Sequence, residues 1–178
     1  MKAKINEDYS IREATLEDAK TIWQAIDLHR DYLKTWLPFV PKLHTVEDEA
    51  AFLHATLSVP YQDRNIVFMI EKGNEFCGLI GFVNTDNVNH RTEIGYWLLP
   101  EYQGQGIMTQ SVKYLSRWAI RERNMHRVQI CCAVGNHPSN AIPQRLGFKM
   151  EGTIRHGELL SSGEYADINI YGILEREI

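Results

Sequence analysis

Tyr102-Gln103-Gly104-Gln105-Gly106-Ile107-Met108-Thr109 stands between an apolar run that reads as a strand and an amphipathic segment that reads as a helix. Two glycines one residue apart let the backbone take positive φ and approach a ligand closely. The helix start behind them offers unpaired N–H groups and a partial positive charge, an anion site whose natural occupant is a pyrophosphate. Gly-x-Gly alone is also an ordinary strand-to-helix turn, so its surroundings must decide. The Gly-Lys-Ser/Thr ending of a nucleoside triphosphate loop is missing. So are the third glycine, the preceding strand–helix unit and the downstream ribose acid of a dinucleotide fold. What remains is a phosphate loop in the middle of a mixed sheet.

Working outward, residues 9–14 alternate apolar and polar and predict a strand. Thr15 with Asp18 opens a helix expected to reach about Lys34, and Thr45 with Asp48 opens a second through about Leu57. Between them lies an aromatic, proline-broken loop, Trp36-Leu37-Pro38-Phe39-Val40-Pro41. Strands are predicted over 65–71, 76–84 and 91–99, separated by Lys72-Gly73-Asn74 and Asp86-Asn87. The helix after the phosphate loop, 106–122, places Ile107, Met108, Val112, Leu115, Ala119 and Ile120 on one face. A strand over 127–134, a short helix over 138–146 and strands over 148–154 and 165–174 close the chain. The expectation is one domain over 1–178, with about seven strands and about four helices. Hairpins followed by a strand–helix–strand crossover make it a mixed α/β (α+β) sheet, not a doubly wound parallel one.

Composition narrows the partners. With 44% hydrophobic and 24% charged residues in 178, the chain is able to bury a core. A net charge of -4 and no Lys/Arg tract argue against nucleic acid. The apolar runs are too short to span a bilayer, and Met1 to Tyr9 lacks the apolar stretch of a signal peptide. The odd set Cys77, Cys131 and Cys132 is no disulfide framework, so the expected location is a reducing cytoplasm. Cys131 and Cys132 are neighbours on a strand, point to opposite faces and cannot share one metal. The seven histidines show no His-x-x-x-His spacing, so no catalytic metal is expected.

The phosphate loop resembles that of the GNAT acetyltransferase superfamily. Gln103 and Gly106 meet its Gln/Arg-x-x-Gly-x-Gly/Ala signature, with Met108 where a small residue is usual. Gln-Gly-Gln-Gly-Ile-Met-Thr is similar to the branch that acetylates ribosomal-protein N-termini, the serine acetyltransferase (RimL-like) group. The resemblance spans nearly the whole chain, including Trp36-Leu37-Pro38 and Glu93-Ile94-Gly95-Tyr96-Trp97. It implies acetyl-coenzyme A as cosubstrate and no metal. Gln103 and the amides of Gly104, Gln105, Gly106, Ile107, Met108 and Thr109 would surround the pyrophosphate. The backbone of Trp97, Leu98 and Leu99 would pair with the pantetheine arm like an added strand.

Asn136-His137-Pro138-Ser139, followed by Leu146-Gly147-Phe148, corresponds to the superfamily segment Asn-x-x-Ala, tyrosine four residues on, then Gly-Phe. Pro143 replaces that tyrosine, the usual proton donor to the departing thiolate. As in the RimL-like group, Ser139 is then the candidate acid, with Asn136 beside the cofactor. On local pattern alone, Ser139 reads as a first-turn residue behind an Asn136 cap, and the resemblance reverses that reading. Glu158 stands at the spacing of the RimL-like catalytic glutamate, just past the sixth strand. An isolated glutamate there is otherwise a solvated turn residue. Glu93 competes, because many superfamily members use a fourth-strand glutamate directly or through water. An α-amine, with a pKa of about 7.7–8.0, needs only a modest base.

The implied reaction is direct attack of the amine on the thioester, with the Leu98 amide meeting the oxyanion. Both cysteines are expected away from the acid and base. The acceptor pocket is expected from Tyr32, Trp36 and Phe39, which are otherwise core or dimer-contact aromatics. By resemblance the acceptor is the N-terminal α-amine of a ribosomal protein. A polyamine, an aminoglycoside or another small amine stays open, as does a non-catalytic acyl-coenzyme A sensor. A homodimer through the C-terminal strand is the remaining expectation.

Overall fold

The computed structural model describes all 178 residues. Its strands are β1 (Lys2–Lys4), β2 (Tyr9–Glu13), β3 (Val67–Lys72), β4 (Glu75–Asp86), β5 (Arg91–Leu98), β6 (Arg127–Ala133), β7 (Lys149–Leu159) and β8 (Tyr165–Leu174). The helices are α1 (Ala19–Leu28), α2 (Arg30–Leu33), α3 (Val46–Ser58), α4 (Ile107–Glu122) and α5 (His137–Arg145). All eight strands form one sheet in the order β1-β2-β3-β4-β5-β6-β8-β7. Every pairing is antiparallel except β5 with β6, which is parallel because α4 carries the chain across between them.

Helices cover both faces. The α4 residues Ile107, Met108, Val112, Leu115, Ala119 and Ile120, all placed on one face by their spacing, join a core with Phe68, Ile80, Ile94, Val128, Ile130 and Tyr171. On the other face Ile22, Ile26, Leu33, Val40 and Leu53 pack on Met69 and Leu79.

Three elements differ from expectation. The additional strand β1 has too few residues to show alternation; it is held by pairing Lys2–Lys4 with Arg12, Ile11 and Ser10. The first helix is broken at His29 (φ -112°, ψ 22°). There Arg30 turns to donate to the carbonyls of Val40 (2.7 Å) and Leu43 (2.9 Å), tying α2 to the aromatic loop. Finally, β7 continues to Leu159 through a register shift between Ile154 and Glu158. His156 adopts φ 50° there, and its N–H is satisfied by the Asp167 carboxylate at 2.8 Å. Glu158 therefore lies within the strand, not in a turn beyond it. The C-terminal strand β8 is flanked on both sides, so the free edge at that end of the sheet belongs to β7.

Two features carry stability predictions. A Cβ on Gly78 would stand 2.3 Å from the Trp97 carbonyl oxygen, so the β4 backbone can approach β5 only without a side chain. Gly78→Ala is expected to destabilise by about 3 kcal/mol in urea unfolding. Glu49 on α3 is only 3% exposed, its Oε1 has no partner, and burial pushes its carboxyl up to about 7. The folded state thus prefers the protonated acid. That preference helps fully below the ordinary glutamate range and is lost as pH rises through 7. Glu49→Gln should stabilise on the order of 2 kcal/mol at pH 8 and by nothing near pH 4.

Candidate active site

The site forms where β5 and β6 part. They pair only at Arg91, Thr92 and Glu93 with Arg127, Val128 and Gln129. Beyond that, β5 stays with β4 and the rest of β6 stays with β8, leaving a gap between two strand edges. The Leu99 N–H donates to the Cys77 carbonyl at 2.9 Å. Strand alternation therefore directs the Leu98 N–H the other way, into the gap.

At the mouth of the gap Gly104 (φ 71°) and Gly106 (φ 74°) turn the chain into α4. The first helical rung is Gln110 N–H to the Gly106 carbonyl at 3.1 Å, so the N–H groups of Ile107, Met108 and Thr109 lie ahead of the ladder. No side chain caps this end and no acidic residue lies in the first turn. An uncapped sixteen-residue helix with these glycines fits a pyrophosphate. Arg145 Nη2 donates to Thr109 Oγ1 at 3.1 Å and brings a cation to the same turn. That residue carried no sequence signal, because α5 meets α4 only in the fold. Gln105 is held by the Tyr9 hydroxyl (2.7 Å), and Gln103 contacts the Tyr32 hydroxyl. A β-branched side chain at φ 74° is strained by about 1–2 kcal/mol, so Gly106→Val should weaken coenzyme A binding roughly tenfold by calorimetry.

Ser139 lies in the first turn of α5, whose cap is Asn136: its Oδ1 accepts from the Ser139 N–H at 3.3 Å. Ser139 Oγ is 3.1 Å from Cys132 Sγ and 3.3 Å from the Tyr96 hydroxyl, which donates to the Ser139 carbonyl at 3.1 Å. This cluster occupies the α4/α5 face of the sheet.

The carboxylates occupy the opposite face. Glu93 Oε2 accepts from Gln129 Nε2 at 3.1 Å, and that amide also meets Cys131 Sγ at 3.2 Å. Arg127 holds the far end of Gln129 at 3.1 Å. Glu158 pairs with Ala166 on β8, and the register through β8 and β6 puts it on the face of Glu93. Burial raises the Glu158 carboxyl above its ordinary range, and the negative charge of Glu93 raises it further. The two candidate bases are thus electrostatically coupled in one site.

Both cysteines border this machinery, contrary to expectation. The reason is that β6 lines the gap, so its alternation sets Cys132 beside Ser139 and Cys131 beside Glu93. Burial, and then the charge of Glu93, pushes the Cys131 thiol up to about 12. Burial raises Cys132 as well. Both stay thiols at neutral pH and are poor nucleophiles. The aromatic loop reaches the gap through Trp36. Trp36 Cη2 would be 3.1 Å from a Cβ on Gly135, Tyr32 touches Gln103, and Phe39 is 43% exposed. Tyr32 and Trp36 thus border the gap, while Phe39 is an exposed residue of the same loop.

Residues 9–149 match the acetyltransferase (GNAT) domain family. The chain belongs to that family. It is 35% identical over 178 residues to the protein named "Putative ribosomal N-acetyltransferase YdaF" of Bacillus subtilis, covering 98% of this chain and 95% of the relative. It is 29% identical to the ribosomal-protein-serine acetyltransferase of Escherichia coli, covering 94% and 93%. Among solved structures it matches a RimL ribosomal L7/L12 α-N-protein acetyltransferase in complex with coenzyme A, which carries a coenzyme A–cysteine disulfide. The TM-score is 0.93 at 26% identity, over 98% of each chain. As a GNAT enzyme the protein is an acetyl-coenzyme A-dependent N-acetyltransferase. Its mixed sheet is the GNAT fold, with one more strand and one more helix than the sequence predicted. No group of three or more histidine, cysteine or acidic side chains stands close enough to hold a metal. No helix of this GNAT chain is long and apolar enough to cross a membrane.

Proposed function

We propose that this enzyme acetylates the N-terminal α-amine of a ribosomal protein by direct attack on the bound thioester. The carrying observation is the disposition of groups around one gap: Ser139 on one face of the sheet, the coupled carboxylates Glu93 and Glu158 on the other. The acceptor class rests on the two ribosomal acetyltransferase relatives and the RimL neighbour.

Acetyl-coenzyme A supplies the activated acetyl group. The N–H groups from Gly104 to Thr109 hold its pyrophosphate, and the free edge at Trp97, Leu98 and Leu99 aligns its pantetheine arm. Glu158 takes a proton from the acceptor's ammonium and frees the amine that attacks, a match helped by its raised pKa. The Leu98 N–H, aimed into the gap, donates to the developing oxyanion. Ser139 Oγ protonates the departing thiolate. Trp36 and Tyr32, with Phe39 at the rim, bound the acceptor. The three free cysteines suit a reducing cytoplasm. The exposed edge strand β7, with Met150 and Ile154 turned outward, is the surface offered for a homodimer.

The test is thiol release from acetyl-coenzyme A with Ser- and Ala-initiated peptides, spermidine and an aminoglycoside. Peptides should be turned over with intersecting double-reciprocal lines. Parallel lines would mean an acyl-enzyme, and release with the small amines alone would remove the peptide reading.

A further inference from the structure

Pro143 stands inside α5, four residues after Ser139. A proline has no N–H, so the Ser139 carbonyl loses the helical donor that residue 143 would otherwise supply. The Tyr96 hydroxyl fills that vacancy, donating to the Ser139 carbonyl at 3.1 Å. With its hydrogen so committed, the phenol oxygen turns a lone pair to Ser139 Oγ, which donates to it at 3.3 Å. Cys132 Sγ closes the other side of Oγ at 3.1 Å. One tyrosine from β5 therefore grips both the main chain and the side chain of the acid.

The geometry points to Tyr96 as the positioning residue for Ser139, recruited by the carbonyl that Pro143 leaves without a helical partner. This rests on the reading of Ser139 as the proton donor. In the resting enzyme the Ser139 hydroxyl hydrogen lies on Tyr96. When a thiolate forms in the gap, the hydrogen passes to sulfur, and Oγ is reprotonated through solvent. Tyr96 keeps its own hydrogen on the carbonyl throughout. It orients the acid and exchanges no proton with the coenzyme. The sequence includes Tyr96 only as one residue of Glu93-Ile94-Gly95-Tyr96-Trp97 and gives it no role, because its partner is forty-three residues away.

The test is a set of four variants assayed by thiol release and by heat. Tyr96→Phe should lower kcat roughly tenfold or more, with the KM for acetyl-coenzyme A nearly unchanged, because a misplaced reacting group costs rate and not binding. It should also lower Tm by leaving a carbonyl unsatisfied. Tyr96→Phe with Pro143→Ala restores an N–H to that carbonyl, so Tm should recover while kcat does not, since nothing accepts from Oγ. In a Ser139→Ala background, Tyr96→Phe should cost no further rate. A crystal structure of Tyr96→Phe with coenzyme A should show Ser139 in a changed side-chain rotamer, a readout independent of turnover.

Unchanged kcat in Tyr96→Phe, recovery of kcat together with Tm in the double variant, an equal loss in the Ser139→Ala background, or an unmoved Ser139 rotamer would each overturn the inference. If Ser139→Ala itself turns over at the normal rate, the acid assignment fails first. If Ser139→Ala is slow and Tyr96→Phe is not, only the role of Tyr96 falls.

Discussion

Ser139→Ala is expected to lower kcat by about 10²–10³-fold, while the dissociation constant of coenzyme A changes by less than about twofold. The leaving group is a thiolate, and Ser139 Oγ is the hydroxyl that stands at the gap with an assigned direction. Its neighbours cannot replace it as they stand. Cys132 has a thiol held up by burial, and the Tyr96 hydrogen is committed to a carbonyl. Coenzyme binding should survive because the proposed cradle uses main-chain amides from Gly104 to Thr109, and the Asn136 cap still accepts from the amide of residue 139. Stopped-flow thiol release together with calorimetry separates the two quantities. Loss of binding in step with rate would make Ser139 a cofactor contact rather than an acid.

Glu158→Gln should reduce kcat/KM by about 10²–10⁴-fold at neutral pH, and the pH profile of Glu93→Gln should show why. As the proposed base, Glu158 works only when ionised, so activity should rise with pH through its pKa. Burial is the larger cause of its elevation and the charge of Glu93 the second. Removing the Glu93 charge while keeping its shape lowers the Glu158 pKa, so the acid limb moves to lower pH. The same change also weakens the base, and the plateau should fall modestly. If Glu93→Gln abolishes turnover and Glu158→Gln does not, the roles are reversed, with Glu93 the base and Glu158 its modulator. If the acid limb stays in place in both, neither carboxylate is the titrating group.

How much of this was legible beforehand varied with the kind of signal. The proposed cradle is readable because it is built from backbone geometry, and glycine spacing before an amphipathic helix reports that geometry directly. The α4 face was equally plain, since a 3.6-residue period survives without tertiary knowledge. Ser139 and Glu158 were recognisable only through family spacing; their local patterns describe an ordinary cap and an ordinary surface acid. The sequence predicts a turn at Glu158 because β7 passes through a bulge at His156, and a bulge breaks the alternation by which a strand is recognised. Cys131 and Cys132 depart from expectation for a different reason. Strand alternation predicts their opposite faces, but only the fold makes β6 a wall of the gap and brings both thiols to the candidate site. Tyr96, Gln129 and Arg145 have partners far away in sequence, and nothing in their immediate neighbours records those contacts. The break at His29 belongs to the same class, because its cause is the reach of Arg30 to Val40 and Leu43.

Mass spectrometry of a Ser-initiated peptide containing one internal lysine, incubated with the enzyme and acetyl-coenzyme A, tests the central claim most directly. A single acetyl group on the α-amine, one free thiol per peptide modified, and no product from the same peptide with a blocked N-terminus are expected. Acetylation of the lysine alone, or of the blocked peptide at an equal rate, would contradict it.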